Sequence, residues 1–493
     1  MTEEFNLYLE KMNAINMALN IMYFDRATGA PKGGVKSSSK FYGILSAESF
    51  GMSVSDEMAG FLKQLEKENQ PGEIDKAVLR ICRKDYESFR KIPVEEMREY
   101  KELEAGAQAI WEKAKEASDY SYFAPALEKL IEFKIRFADY RRGAKDRYDV
   151  YLSDYEEGMD QETLDAFFAQ LKKTIVPLVK EIGKSGRRID ESFLSRPVPI
   201  QRQREISSLL IKRLGFDLNR GVLRESVHPF TCDIGQNDVR ITTNYHENAF
   251  LSSFYSVLHE VGHALYEQNK IEEIADTILD KGASTGIHES QSRFYENIVG
   301  RSLEFWESIY DDAIAILGED FKDVSAKALF EVSNIVKPSF IRIEADELTY
   351  SLHVMVRYEI EKLIMSGNYS INELPKEWNR KMEEYLGITP RNDAEGILQD
   401  VHWSGGSFGY FPSYAIGNAY SAQIFSCMKK DIPFYKKIRQ GDIASIQNWL
   451  SEKIHRHGCL KTPEELIMNI AGEKLNASHY AKYLEDKFSA IYF

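Results

Sequence analysis

The 493-residue sequence has few cysteines, no long uncharged apolar run and no excess of basic residues. None of its four cysteines has another at metal-ligand spacing, and four in so long a chain do not make a disulfide framework. No apolar stretch approaches the ~20 residues that a transmembrane helix needs. The amino terminus carries Glu3 and Glu4 where a signal peptide would be basic. These features predict a cytoplasmic protein without membrane partners.

Basic residues are fewer than acidic residues. The sequence has 63 Lys and Arg residues against 77 Asp and Glu residues, for a formal net charge of -14. Because phosphate binding requires clustered Lys and Arg, this balance disfavours nucleic acid as a partner. It also disfavours anionic membrane surfaces.

Helical periodicity dominates the chain, of which 43% is hydrophobic. Thr462, Pro463 and Glu465 form a helix start, with a cap, a proline at the first helical position and an acid three residues after the cap. We therefore predict a mainly α protein. The segments with helical spacing are 5–23, 76–141, 160–183, 201–214, 307–333, 346–366, 415–429 and 433–457.

Residues 222–243 break the helical pattern, with two extended runs on either side of a turn at 235–238. They predict a small β-hairpin or three-stranded sheet. No segment has the composition of a flexible interdomain linker. The prediction is one continuous helical domain over residues 1–493, or the same domain cleft into two lobes that flank a groove.

A compact chemical motif, HExxH, stands at 259–263. Residues four apart lie on one face of a helix, so His259 and His263 can reach one metal ion. Glu260 then projects toward the water that such an ion binds. Gly262 lowers helix propensity by about 1 kcal/mol relative to Ala, but it permits close packing of another element. The alternative is a surface helix with two unconnected histidines.

A catalytic tetrahedral site needs a third protein ligand. The Gly and His of the longer HExxHxxGxxH pattern are absent after His263. Two candidates remain at the start of the helical run 289–305: Glu289, which is favoured, and His288. The alternative for Glu289 is an acid placed by the helix dipole. Glu296 is a candidate to orient a metal-bound histidine, with a surface ion pair as the equal alternative.

Two arginines are candidates to hold a carboxylate. Arg240 follows Asp238 by two residues, and an ion pair between them is the favoured reading. Arg342 begins a predicted long helix with Asp346 four residues on, so its alternative is a helix-stabilising pair worth ~0.3–0.5 kcal/mol.

A glycine-rich, aromatic segment at 404–414 follows His402 and Trp403. A mobile surface turn is the alternative, but five aromatic residues in twelve argue against full exposure.

Six motifs carry a resemblance to a known family, the Taq-type thermostable metallocarboxypeptidases, which form family thirty-two of the metallopeptidases. Asp25, Thr28 and Pro31 also resemble the family's amino-terminal pattern, so the resemblance spans nearly the whole chain. In order, the motifs are HPF (228–230), DxRxT (238–242), HExxH (259–263), HESQ (288–291), IRxxAD (341–346) and GxxQDxHW (396–403).

The resemblance implies a nearly all-helical, saddle-like fold with a deep groove, similar to neurolysin and angiotensin-converting enzyme. It implies a homodimer that removes C-terminal amino acids stepwise from peptides with a free C-terminus, with broad specificity and reluctance at proline. It also implies activity with zinc or cobalt. We expect one divalent ion per chain, zinc first and cobalt as the alternative, because imidazole ligands fit both.

In such an enzyme Glu260 would be the general base that takes the proton of the attacking water. His402 and Tyr410 are candidates to stabilise the oxyanion, and Tyr414 is the second choice among the tyrosines. The Tyr-Phe step at Tyr410 resembles the catalytic tyrosine segment of angiotensin-converting enzyme.

The free carboxylate is best held by an arginine, whose planar fork matches it. Arg342 is the first candidate and Arg240 the second, and His228 is expected to contact the substrate from the hairpin. Three alternatives stay open: a dipeptidyl carboxypeptidase or oligopeptidase with the same site, a non-catalytic peptide-binding scaffold, and a purely structural metal. Glu260 argues against the last two, because neither needs a general base.

Overall fold

A computed structural model describes residues 1–67, 71–143 and 145–493. Most of the chain is helical, as predicted. In chain order the α-helices are α1 (Glu3–Thr28), α2 (Val35–Ser53), α3 (Asp56–Leu65), α4 (Glu73–Phe89), α5 (Val94–Ala117), α6 (Tyr120–Arg141), α7 (Arg147–Tyr155), α8 (Gln161–Lys184), α9 (Ile200–Leu214), α10 (Phe250–Gln268), α11 (Thr285–Arg293), α12 (Leu303–Leu317), α13 (Ala326–Val332), α14 (Tyr350–Met365), α15 (Leu374–Leu386), α16 (Pro412–Asp431), α17 (Phe434–Arg439), α18 (Ile443–Lys453), α19 (Pro463–Ala471) and α20 (Ala477–Tyr492).

The strands β1 (Gly221–Glu225), β2 (Thr231–Gly235) and β3 (Asp238–Thr243) form one sheet in the order β1-β3-β2. Strands β2 and β3 are an antiparallel hairpin across the predicted turn, and β1 pairs with β3 in parallel. Of the two predicted forms, the three-stranded sheet is therefore confirmed.

The chain divides into two compact units. The first consists of Met1–Ser88, Ile189–Ser333 and Ile424–Lys474, and the second of Phe89–Arg188, Asn334–Gln423 and Leu475–Phe493. In the first, α10 packs against α9, α11, β2 and β3. In the second, α5 packs on α6, α8 on α20 and α14 on α15.

Helix α10 is the central element of the first unit. It begins without a side-chain cap, but Phe254, Leu258 and Leu265, which follow one another by four and seven residues along one face, are all buried. Complete burial of such side chains contributes about 1.5–3 kcal/mol each, which outweighs a missing cap worth about 1 kcal/mol. Tertiary packing therefore fixes this helix and the motif that it carries.

Several predicted helices are shorter than expected. Gly318, with φ of 87°, ends α12, and Gly441, with φ of 71°, separates α17 from α18. The run at 289–305 is divided into α11, a π-helix over Phe294–Gly300 and the first turn of α12. The prediction that a long helix begins at 341–346 is wrong: Arg342–Glu344 is a single 3-10 turn, and α14 begins at Tyr350.

Candidate active site

The HExxH motif lies on α10, and Glu289 reaches it from α11. Glu289 Oε2 is 3.8 Å from His259 Nε2 and 3.5 Å from His263 Nε2. The three ligand atoms all lie within 4.8 Å of one another. Tetrahedral ligands at the Zn–N distance of about 2.0–2.1 Å are roughly 3.3 Å apart, so this donor set fits one divalent ion after small adjustments.

Gly262 is the contact at which α10 and α11 meet. A Cβ on Gly262 would lie 2.6 Å from the carbonyl oxygen of Gln291 and 2.6 Å from Cα of Ser292. Both are backbone atoms, so they cannot turn aside as a flexible side chain would. The glycine therefore permits the helix approach that brings Glu289 to the two histidines, as the sequence suggested.

Buried ion pairs hold the carboxylates of this cluster in place. Arg293 Nε donates to Glu289 Oε1 at 2.7 Å, which leaves Oε2 for the ligand position. Burial alone would raise the pKa of Glu289, but Arg293 and the two imidazoles outweigh burial and hold that pKa well below its ordinary value. Glu289 is therefore ionised, as a metal ligand must be.

Glu296 orients His259. It lies on the π-helix, and its Oε2 is 2.9 Å from His259 Nδ1. Arg293 and Arg301 donate to the two oxygens of Glu296 at 3.0 and 3.1 Å. Of the two readings of Glu296, a histidine partner and a surface ion pair, the geometry favours the first, because only 9% of Glu296 is exposed.

Glu260 has one strong polar partner. Thr231 on β2 donates its hydroxyl to Glu260 Oε2 at 2.6 Å. Burial raises the pKa of Glu260, against the opposing effects of His259 and of the Thr231 hydrogen bond. A raised pKa suits a carboxylate that has to take up a proton near neutral pH.

His263 and His288 are neighbours, but only His263 faces Glu289 in the candidate metal site. Burial, then His288, lowers the pKa of His263 to about 3, so its imidazole is neutral and able to bind a metal. His288, the alternative third ligand, lies with Nδ1 2.5 Å from His263 Nδ1, on the side of the ring away from Glu289.

Four of the other predicted site residues, Arg342, His402, Tyr410 and Tyr414, form a cluster in the second unit. His402 Nε2 is 3.3 Å from the Tyr414 hydroxyl, and the ring centroids of His402 and Tyr410 are 5.4 Å apart. The Arg342 guanidinium lies 4.6 Å from the centre of the Tyr414 ring. Burial lowers the pKa of His402 to about 4, so this imidazole is neutral at physiological pH.

The alternative reading of Arg342, a helix-stabilising pair with Asp346, is wrong. Arg342 donates Nε and Nη2 to Asp400 Oδ1 at 3.1 and 2.9 Å, and only 5% of its side chain is exposed. Asp346 instead caps the turn before α14, by accepting the backbone N–H of Thr349 at 3.0 Å. Arg357 on α14 also binds Asp400, at 2.7 Å. Two guanidiniums therefore share one carboxylate.

A buried carboxylate on α14 holds the glycine-rich segment. Glu361 accepts hydrogen bonds from Tyr148, from Trp403 Nε1 and from the backbone N–H of Gly409, at 2.7–2.8 Å. The pKa of Glu361 is raised to about 7, mainly by burial. Trp403, just before this segment, and Gly409, in its middle, are thus both bound to one buried carboxylate, which argues against the mobile surface turn.

The two remaining predicted site residues belong to the region of the small sheet. Arg240 lies on β3, and His228 lies in the segment between β1 and β2. Arg240 donates to both oxygens of Asp238, at 2.8 and 2.6 Å, so the favoured ion pair is confirmed. His228 is exposed.

Comparison with known proteins decides the family. The model of the family described as Carboxypeptidase Taq (M32) metallopeptidase matches residues 4–488. The chain belongs to this family. It is 44% identical over 492 residues to Carboxypeptidase 1 of Bacillus subtilis (strain 168), covering 99% of this chain and 98% of that protein.

Two further relatives of the carboxypeptidase Taq family agree. The chain is 37% identical to Thermostable carboxypeptidase 1 of Pyrococcus furiosus, over 96% of both chains. The crystal structure of the M32 carboxypeptidase from Deinococcus radiodurans R1 has a TM-score of 0.96 and 32% identity, and the match covers 99% of each chain. These matches confirm the predicted family, the mainly α fold and a metal-dependent carboxypeptidase activity on peptides.

No helix in the described part of the chain combines the length and the apolar character that crossing a membrane requires.

Sequence reasoning missed five residues that contact the predicted site residues or the segment that carries His402: Thr231, Arg293, Arg301, Asp400 and Glu361. Glu361 had a usable signal: polar residues at 353, 357 and 361 recur at helical spacing within a largely buried helix. Arg293 and Arg301 also lie within five residues of the carboxylates that they bind, whereas Thr231 contacts Glu260 from another element, 29 residues away.

Proposed function

We propose that His259, His263 and Glu289 hold one divalent ion, zinc or alternatively cobalt, and that Glu260 is the general base for release of C-terminal amino acids with broad specificity. When bound, such an ion supplies Lewis-acid polarisation of the scissile carbonyl and lowers the pKa of water. The observation that carries the proposal is the ionised, arginine-held Glu289 beside two imidazoles of the HExxH helix.

Glu260 takes a proton from the attacking water and gives it to the leaving amine in this proposal. Its hydrogen bond from Thr231 supports the assignment, because it fixes one carboxylate oxygen and leaves the other for a proton. The burial that raises its pKa further favours proton uptake.

His402 and Tyr410 are proposed to stabilise the oxyanion, with Tyr414 as the second tyrosine. The neutral His402 supports this, because its Nδ1 is buried and has no hydrogen-bond partner among the described residues. A neutral imidazole N–H is a suitable donor to developing negative charge.

Arg342 remains our first candidate for the substrate carboxylate, with Arg240 second and His228 as a further contact. The sharing of Asp400 by Arg342 and Arg357 supports the choice, because two positive charges and one negative charge leave a net positive site. Arg240 is the more accessible, with 26% of its side chain exposed, but its charge is balanced by Asp238.

A digest of one peptide, supplied with a free and with an amidated C-terminus, tests the activity. Mass spectrometry should show stepwise loss of single residues from the free peptide, slow loss next to proline, and none after chelation. Zinc or cobalt should restore it. Release of dipeptides would favour the dipeptidyl alternative.

The variant R342A tests the carboxylate contact. It should lower kcat/KM on the free peptide by roughly 10–10³-fold and have much less effect on the amidated one. Equal losses on both would transfer the role to Arg240.

We also propose that the protein is a cytoplasmic homodimer. The resemblance supports the dimer, and four free, buried cysteines suit a reducing compartment. Sedimentation of the purified chain tests the first part, and fractionation of cells tests the second.

A further inference from the structure

His288 lies where the His263 ring requires a partner. The Nε2 atom of His263 faces Glu289, so Nδ1 points away from the ligand cluster and toward His288 Nδ1, 2.5 Å distant. On its other side, His288 Nε2 is 2.5 Å from Glu267 Oε1. An uninterrupted series of hydrogen bonds therefore leads from His263 through His288 to Glu267, the residue four positions after His263 on α10.

The proton positions in this series follow from the ligand role of His263. If Nε2 gives its lone pair to the ion, the proton of His263 is on Nδ1 and is donated to His288 Nδ1. His288 Nδ1 is then an acceptor, so the proton of His288 is on Nε2 and is donated to Glu267. The reversed tautomer of His288 would place a second N–H against that of His263.

Lys270 fixes the far end of the series. Its side chain is fully buried, and its ammonium group is paired with Glu267 and lies 2.6 Å from Asp280 and 3.6 Å from Asp233. These partners come from α10, from β2 and from the segment before α11. Glu267 is 2% exposed and is thereby held as an acceptor in one orientation.

We propose that His288 is a positioning residue: it fixes the tautomer and the ring orientation of His263, and it connects this ligand to the Glu267–Lys270 ion pair. The other imidazole ligand, His259, receives a carboxylate partner directly, from Glu296 at 2.9 Å. The inference rests on the proposed role of His263 as a metal ligand. Loss of such an orienting partner typically costs 10–100-fold in metal affinity.

A purely space-filling role makes a different prediction. His288 also packs against Tyr266, with ring centroids 5.3 Å apart, so its removal would disturb packing in any case. His455 offers a matched control, because it is buried, stacks on the same Tyr266 ring at 5.3 Å and bonds to Gln291, which is not a ligand. Packing loss alone would affect both histidines alike.

The test measures zinc transfer from the zinc-loaded full-length enzyme to excess chelator. H288F, which keeps a ring and removes both nitrogens, should lose zinc about 10–100-fold faster than wild type, and E267Q should change the rate in the same direction. H455F should keep the wild-type rate even if its thermal midpoint falls. A wild-type rate in H288F, or an equal acceleration in H455F, would overturn the proposal.

Two further measurements separate the role of His288 from a folding defect and from an error in the ligand assignment. Histidine-selective ¹⁵N NMR on wild-type zinc enzyme needs no variant, and it should show His288 protonated at Nε2 and His263 at Nδ1. Protonation of His288 at Nδ1 would contradict the inference. H263A reports on the ligand assignment itself: if it retains zinc fully, the proposed metal site is wrong, whereas zinc loss in H263A with retention in H288F removes only the role of His288.

Discussion

Glu260, Glu289 and His259 each have one oxygen or nitrogen held by a neighbouring side chain. Thr231 binds Glu260, Arg293 binds Glu289 and Glu296 binds His259. Each partner engages the atom that is not required for the proposed chemistry. Such contacts limit the rotation of the side chain and so maintain the geometry that catalysis requires.

Replacing Glu260 by Gln should keep the ion and remove most turnover. The amide has nearly the same shape but cannot accept a proton, and general-base contributions are typically 10²–10⁴-fold. We expect kcat to fall by about that factor with metal content unchanged. T231V is the comparison, since it removes only the orienting bond and should cost much less. Near-normal turnover in metal-replete E260Q would assign the base to another residue.

Replacing Gly262 by Ala should weaken metal binding although no ligand changes. The added Cβ would lie 2.6 Å from two backbone atoms of α11, so the helices must separate and carry Glu289 with them. Overpacking of this kind costs about 1–3 kcal/mol. Thermal denaturation and zinc titration should both show the loss.

Gly106, inside α5, is the control for that substitution. A Cβ at Gly106 would meet nothing within 4 Å, so G106A should stabilise the protein by roughly 0.5–1 kcal/mol. If G262A behaved like G106A, the close approach of the two helices would not depend on this glycine.

The three residues of the proposed metal site could be predicted from sequence, but several of their partners could not. His259 and His263 are a local pattern, because four residues on a helix always return to the same face. Thr231 contacts the site only after strand β2 has packed against α10. Glu267 carried no signal either, since an acid on an amphipathic helix is ordinarily solvated.

At the scale of elements, α14 holds the segment that carries His402. His353, Arg357 and Glu361 recur every four residues along one buried face of this helix. Arg357 binds Asp400, and Glu361 binds Trp403 and Gly409. One helix face thus holds the segment on both sides of His402.

Glu361 should make stability depend on pH. Its pKa is raised from 4.5 in the unfolded chain to about 7 in the folded protein, mainly by burial. A raised pKa favours the folded state below the unfolded value, and that contribution is lost as pH rises through about 7. At 1.36 kcal/mol per pKa unit, the loss is on the order of 3 kcal/mol.

Wild type should therefore lose stability between pH 5 and pH 8 relative to E361Q, which cannot ionise. Thermal midpoints of both proteins across this range provide the comparison. E383Q, at an exposed position of α15, should follow the wild-type profile. Parallel profiles for wild type and E361Q would show that Glu361 does not titrate in this interval.

Element boundaries were less predictable than element types. Helical spacing located the helices, but the start of α14 was placed too early, because Arg342 and Asp346 suit a helix by spacing alone. In the fold, Arg342 is drawn to Asp400, 58 residues later, and Asp346 is used as a cap. The parallel pairing of β1 with β3 could not be predicted from the local sequence either, because the only turn signal lies between β2 and β3.

At the scale of the molecule, the metal cluster and the Arg342–His402 cluster belong to different units of the chain. His259, His263 and Glu289, with their partners Glu296 and Thr231, all lie in the first unit. The ion is thus expected to stabilise that unit directly, because a ligand bound only by the folded form adds RT ln(1 + [L]/Kd), about 4 kcal/mol at 1,000 times Kd.

Chelation should consequently reduce hydrogen-exchange protection unevenly along the chain. Amides of α10, α11 and the π-helix should exchange faster in the metal-free protein, since the ion ties these three elements together. Amides of α5, α6 and α20, in the second unit, should change little. H263A, already unable to hold the ion, should respond to chelator in neither region. A uniform loss of protection over both units would mean that they open as one cooperative body, and no change in α10 and α11 would mean that the buried ion pairs alone hold the ligand geometry.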